Sequence, residues 1–255
     1  MQTFTKRNLA APPGFFACEA AGLQWLSEAH GARCAEVVAY DDTSLTLVRL
    51  DSVAPHQDVA RAFGQALATT HDAGARGWGA PPECWDGPGF FGPLQHPLPI
   101  SFGLYDSWGR FYADARLEPL LRLVASALGS AAVADVEEVV RRCRAGDYDD
   151  DDTPARLHGD LWQGNIIWTE NAAVLIDPAG HGGHRETDLA MLHLFGCPLL
   201  DAIIDGYQRG HPLLPGWRDR LGLHQLFPLL AHVALFGAGF AHQTHEAARK
   251  ALALN

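Results

Sequence analysis

Asp160, Asn165 and Asp177 are the residues whose types and spacing could do chemistry in this chain. The stretch His158-Gly-Asp-Leu-Trp-Gln-Gly-Asn165 supplies a carboxylate and, five positions later, a carboxamide, and the apolar run Val174-Leu175-Ile176 ends on a second carboxylate. Phosphoryl transfer asks a protein mainly to position groups and neutralise charge. One carboxylate orients or deprotonates the acceptor hydroxyl, and a carboxamide with another carboxylate holds the metal ions that bridge the phosphates. The three residues fit those roles at the spacing of a kinase catalytic loop, D-x-x-x-x-N, followed by a metal-binding strand end. His158 opens the loop as His-Gly-Asp, where protein kinases carry His-Arg-Asp. Without that Arg there is no partner for a phosphate on an activation loop, which points to a constitutive kinase of small molecules.

Elements must bring a nucleotide to these groups. Gln2 to Arg7 reads as a strand with Phe4 and Lys6 on one face. After Pro12-Pro13-Gly14, a helix is expected from Phe15 to Glu28, in which Phe15, Phe16, Leu23 and Leu26 flank Glu19 on the apolar side. Either Lys6 partners that carboxylate, as a strand Lys and helix Glu do in kinases to grip the α and β phosphates of ATP, or Glu19 is solvated at the stripe edge. Glu36 to Tyr40 and Leu45 to Leu50 read as a hairpin, and an adenine-facing hinge would fall near Val48 to Leu50. A helix from Asp58 to Ala73 should stop at Gly74. The segment after it, rich in Gly, Pro and Trp, is long enough to be functional and is read as a wall of a substrate cleft. Helices are expected at Ser107 to Leu128, kinked or broken by Pro119, and at Ala134 to Ala145. Asp149 to Asp152 reads as a solvated loop or, alternatively, as a lure for a cationic substrate. Beyond Asp177 helices should run from Glu186 to Phe195, Leu199 to Arg209 and Leu223 to Ala251, the last with a break at Gly237 or Gly239.

With 255 residues and 47% hydrophobic content, the chain can bury a sizeable core. A net charge of −11 argues against nucleic acid and anionic membrane as partners. The absence of a long apolar run and of a signal-peptide core places the protein in the cytoplasm. Five scattered cysteines with no CxxC pair suggest reduced thiols. The pairs His181/His184 and His242/His245 could bind a metal if helical, but surface histidines are expected. Gly-x-Ser-x-Gly is absent, which removes the usual esterase elbow. Trp162 is either a core residue or an apolar platform for a substrate ring.

His158 to Asn165, Ile176-Asp-Pro-Ala179, Gly183-His-Arg-Glu-Thr-Asp-Leu-Ala190, Leu194-Phe-Gly196 and Pro12-Pro-Gly-Phe-Phe-Ala-Cys-Glu-Ala-Ala21 together resemble the fructosamine/ketosamine kinase family, in the aminoglycoside-phosphotransferase-like group of the kinase fold. The likeness runs through almost the whole chain. It implies ATP- and Mg²⁺-dependent phosphorylation of a sugar hydroxyl on a ketosamine, a glycated amine or lysine. It implies Lys6 and Glu19 as the ATP-gripping pair, Asp160 as base, Asn165 and Asp177 as metal ligands, Asp188 as a brace for the catalytic loop, and Trp162 and His232 at the substrate. From the residues alone, His232 reads equally as a packed helix histidine. Two departures stand out. The family begins with two strands and a phosphate-covering turn ahead of the Lys strand, roughly 15–30 residues for which Met1 to Thr3 leave no room. Gln95-His96-Pro97-Leu98 also differs from the family's substrate-side loop. The expected fold is therefore α+β and two-lobed, with a reduced N-terminal β lobe at residues 1–51 and a mainly helical C-terminal lobe at 52–255. Two alternatives remain: a kinase of another amino sugar, aminoglycoside or choline-like alcohol, and a truncated, non-catalytic nucleotide- or metabolite-binding relative.

Overall fold

The computed structural model describes residues 2–254. Strand β1 (Thr3–Arg7) leads through Gly14 into helix α1 (Phe15–Glu28), followed by β2 (Arg33–Cys34), β3 (Val37–Asp41) and β4 (Ser44–Val48). Strands β1, β4 and β3 form an antiparallel sheet in that order. Its inner face follows from alternation. Leu45 and Leu47 are buried and stand opposite Lys6 and Phe4, so Lys6 points to the side where α1 packs Phe16, Ala20 and Leu23. The two-residue β2 instead pairs parallel with a distant strand, Arg33 against Val174 and Cys34 against Leu175, tying residues before position 51 to the segment that ends at Asp177.

The larger, helical part begins with α2 (Gln57–Asp72), then a short hairpin β5 (Gly89–Phe91) and β6 (Leu98–Ile100) inside the Gly- and Pro-rich segment. The helix expected from Ser107 to Leu128 is interrupted near Pro119 as expected, and runs as α3 (Trp108–Tyr112), a π turn at Ala113–Leu117 and α4 (Glu118–Val124). Pro119 is the physical reason: it has no N–H to give the Ala115 carbonyl, and the Arg116 side chain supplies a donor there at 3.1 Å. Helix α5 (Ser130–Ala145) begins four residues before its expected start, from an extended Gly129. The catalytic segment follows as β7 (Ala155–Leu157), a 3₁₀ turn at Gln163–Asn165, β8 (Ile166–Trp168), β9 (Ala173–Leu175) and β10 (His181–Gly183). Helices α6 (Arg185–Leu194), α7 (Leu200–Gly210), α8 (Leu221–Phe236) and α9 (Ala241–Leu252) complete the chain, with α8 ending at Gly237 (φ 85°) as expected.

Two large clusters form the core of this part, one around α3–α5, α8 and α9 and one around α2, α7 and the β8–β9 hairpin. In the second, α2 and α7 touch backbone to backbone: a Cβ on Gly64 would stand 1.9 Å from the Ile203 carbonyl oxygen, and one on Gly206 1.9 Å from that of Arg61. This crossing brings the C-terminal end of α2 under the catalytic loop.

The run Asp149 to Asp152 is the exposed loop expected of it at Asp149, Asp150 and Asp151, with Asp152 half-buried, but its carboxylates also find partners. Asp149 accepts the Gly109 amide at 2.7 Å, Asp150 faces His184 at 3.2 Å, and Asp152 accepts from Arg185 at 2.7 Å. It is a set of staples to α3 and α6, and only the Asp151 carboxylate has no hydrogen-bond partner among the described residues. His181 and His184 also differ from the surface histidines expected, since both are buried. His242 is exposed, whereas His245 is half-buried against Asp135 at 2.9 Å. All five cysteines are free thiols. Among the described residues no helix is long and apolar enough to cross a membrane.

Candidate active site

The β8–β9 hairpin explains why residues 165 and 177 can act together. Ile166 stands opposite Leu175 in antiparallel register, so the chain enters the hairpin at Asn165 and leaves it beside Asp177, and the Ile176 amide donates to the Asn165 carbonyl at 3.1 Å. Asp160 lies on the loop before the hairpin. The Asn165 amide nitrogen donates to the Asp160 carbonyl at 2.8 Å and to its carboxylate at 3.2 Å. That leaves the Asn165 side-chain oxygen as a free acceptor.

The loop is held from beneath. Asp188, in the first turn of α6, accepts the amides of His158 at 2.7 Å and Gly159 at 2.9 Å. Its Oδ2 also accepts from His71 Nε2 at 3.2 Å, and His71 Nδ1 meets the Tyr207 hydroxyl at 2.7 Å. Burial drives the His71 pKa down, so its neutral ring gives Nε2–H to Asp188 and takes the Tyr207 O–H. Burial works against the Asp188 charge, but the His71 and Gly159 hydrogen bonds outweigh it and hold the carboxylate below its usual range. His158 donates Nε2–H to the Ile176 carbonyl at 2.9 Å and accepts the Asp160 amide on Nδ1 at 3.2 Å. Gly159 has φ 81°, and a Cβ there would come 2.2 Å from the Ala179 carbonyl oxygen. That crowding explains a glycine between His158 and Asp160.

On the other side of the cleft, Lys6 Nζ contacts the Glu19 carboxylate and Asp177 Oδ1, the latter at 2.5 Å. Of the two readings of Glu19, the structure has the paired one: it is buried and faces Lys6. Burial opposes the Lys6 charge, yet the two carboxylates raise its pKa and keep it protonated. Burial, and secondarily the nearby Asp177, push Glu19 up to about 7. Asp177 has φ 54°, a left-handed conformation that Asp tolerates better than most residues. Burial raises Asp160 as well, to about 7, against the pull of its Asn165 hydrogen bond.

These groups border one cleft of about 210 Å³, with Phe90 to Leu94 on one wall and Trp162, His232 and Phe236 on another. The Gly- and Pro-rich segment thus does supply a cleft wall. Trp162 is exposed, not a core residue, and lies edge-on to Phe195 at 6.2 Å. His232 donates Nδ1–H to the Pro228 carbonyl at 2.6 Å within a ring of Phe195, Phe236 and Phe240, so its Nε2 is an acceptor. Val48 and Leu50 do not line the cleft. The Val48 amide is taken by the Glu36 carbonyl at 2.9 Å, and Leu50 packs on the cluster around Phe16 and Leu47. His71 and Tyr207 were not singled out from sequence; neither carries a motif, and only the α2–α7 crossing shows their place.

Comparisons with known proteins agree with this geometry. The family described as fructosamine kinase matches residues 1–254. A probable ketoamine kinase of Synechocystis sp. is 32% identical over 254 residues, covering 98% of this chain and 82% of the relative. The crystal structure of a putative fructosamine-3-kinase from Thermobifida fusca superposes with a TM-score of 0.90 at 43% identity, over 99% of this chain and 86% of that one. A mutant aminoglycoside phosphotransferase solved with ADP and hygromycin B gives a TM-score of 0.59 at 16% identity, over 94% and 84% of the two chains, which shows a shared fold.

Proposed function

The chain belongs to the fructosamine kinase family, and on that premise we propose how its residues carry ATP-dependent phosphoryl transfer to a ketosamine hydroxyl. The supporting observation is the convergence of Asp160, Asn165 and Asp177 with the Lys6–Glu19 pair on one cleft. Residues 1–51 form the lobe that meets the nucleotide, and residues 52–255 the lobe that carries the acceptor site.

Lys6, fixed by Glu19, holds the α and β phosphates of ATP. The Asn165 side-chain oxygen and the Asp177 carboxylate are hard oxygen donors on adjacent ends of one hairpin, a set that fits Mg²⁺. When bound, the ion neutralises charge on the phosphates. Asp160 orients the acceptor hydroxyl and takes its proton as the oxygen bonds to the γ-phosphorus and the bond from that phosphorus to the β–γ bridging oxygen breaks, releasing ADP; a base with its pKa near 7 is partly ionised at working pH and basic enough to accept. His158 and Asp188 act through the backbone, fixing where Asp160 stands. Trp162 offers a flat apolar surface and His232 Nε2 an acceptor for a substrate hydroxyl. The acceptor is a small ketosamine or a glycated lysine, and the compartment is the cytoplasm.

A panel assay tests this reading. With ATP and Mg²⁺, fructosyl-lysine or ribulosyl-lysine should be phosphorylated, and an aminoglycoside or choline should not. Turnover of the latter alone would replace the ketosamine reading, and nucleotide binding without any turnover would favour a non-catalytic relative.

A further inference from the structure

Arg116 is 1% exposed, yet no carboxylate pairs with it among the described residues. Its Nη1 donates to the carbonyls of Ser101 at 2.8 Å and Ala115 at 3.1 Å, while Nε and Nη2 find no acceptor. The guanidinium lies over the Phe111 ring at 4.6 Å and that of Phe227 at 5.5 Å. It stands in the π turn ahead of Pro119, a local widening of the kind often kept for function. A buried charge is costly unless something pairs with it. Beside it is a second cavity of about 240 Å³, walled by Arg116 with Leu98, Ile100, Leu120, Leu123 and Phe227. This cavity shares Phe91 with the catalytic cleft but contains none of Lys6, Asp160 or Asp177.

We propose that this cavity binds a small monocarboxylate with an aliphatic or aryl body, whose carboxylate takes the Nε–Nη2 edge of Arg116. That edge is a planar fork that matches the two oxygens of a carboxylate, and the remaining walls are apolar. A doubly charged phosphate would find one cation and no second: His181, whose ring lies 5.6 Å from that of Phe111, is kept neutral by burial, its pKa pushed down to about 3. Both Arg116 nitrogens, Nε and Nη2, are shielded from solvent, so a carboxylate reaches them only as the side chains around the cavity give way.

The test is calorimetric titration of the full chain with hexanoate, hexylamine and inorganic phosphate, with methyl NMR to locate binding. Saturable binding of hexanoate alone, with shifts at Leu98, Ile100 and Leu120, is expected. Arg116→Met should weaken it on the order of tenfold or more, the loss of a charge-assisted hydrogen bond. Because Arg116 is buried and its replacement can cost the fold, Leu123→Glu at the 62%-exposed rim is a second variant; it should weaken hexanoate severalfold by charge repulsion. Equal binding of hexylamine, equal binding of phosphate, no saturable binding, or shifts confined to other methyls would each overturn the proposal.

Discussion

Asp160 and Asp177 face the same cleft from opposite kinds of support. Asp160 is 9% exposed and rides on a loop whose amides are fixed by Asp188, itself fixed by His71 and Tyr207. The Asp177 side chain is 44% exposed, and its one side-chain partner among the described residues is the Lys6 ammonium. The Asp160 side is thus set by buried hydrogen bonds centred on the Asp188 carboxylate. The Asp177 side is a cluster of charges, Lys6 between Glu19 and Asp177, whose members would exchange partners on binding a cation and phosphates as proposed above. Buried networks of the first kind specify one arrangement, and charge clusters of the second kind respond to what binds.

Substitutions on the two sides should therefore fail differently. Asp160→Asn should cut kcat by about 10²–10⁴-fold, the range of a lost general base, and leave ATP affinity nearly unchanged. Steady-state turnover alongside calorimetry checks both halves; retention of most of the rate would remove Asp160 from the acceptor hydroxyl. In the unaltered enzyme kcat/KM should rise with pH and level off above about 7, as the raised Asp160 carboxyl ionises. Asp177→Ala should weaken ATP binding more than tenfold in the presence of Mg²⁺, from loss of a charge-assisted contact, and should matter little without the metal. Equal losses in both titrations would mean that Asp177 acts only through Lys6.

A third comparison tests the buttress itself. His71→Ala leaves Asp188 Oδ2 short of a donor and the Tyr207 hydroxyl without its ring acceptor, and it opens a buried cavity. Together these should cost about 2–4 kcal/mol of stability by urea denaturation. Because it disturbs the loop that carries Asp160, kcat should fall more than the affinity for nucleotide. A loss of nucleotide affinity with kcat preserved would place His71 on the wrong side of the comparison.

Both sides of the cleft differ in how far they could be read from sequence, for the same physical reason. The proposed catalytic trio is local: a loop and one hairpin bring Asp160, Asn165 and Asp177 together, so their spacing in the chain reflects their spacing in the molecule. Helix α1 was legible because its apolar stripe surrounds Glu19, and its observed ends, Phe15 and Glu28, are those expected. The buttress is non-local. His71 reaches Asp188 across 117 positions because Gly64 and Gly206 let two helices touch, and neither glycine announces a partner in sequence. The parallel pairing of β2 with β9 is two residues long and far too short for a pattern. The Asp149–Asp152 run reads correctly as an exposed loop, but its ties to His184 and Arg185, more than thirty positions on, could not be read from the charge run itself.

The raised pKa of Asp160 also carries a stability consequence that separates the two carboxylates. In the unfolded chain an Asp titrates near 3.9, whereas burial moves Asp160 to about 7 in the folded protein. Between those values the folded state binds a proton that the unfolded state has released, so this group makes stability fall as pH rises from about 4 to 7. Asn at position 160 has the same shape and no such titration. Asp160→Asn should therefore melt higher than the parent at pH 8, by roughly 2–4 °C for each kcal/mol gained in a chain of this size, and the difference should be nearly gone near pH 4, where Asp160 is protonated in the folded state and about half protonated in the unfolded chain. An identical offset at both pH values would show that the gain comes from packing or hydrogen bonding, and that the carboxylate is not held above its usual range.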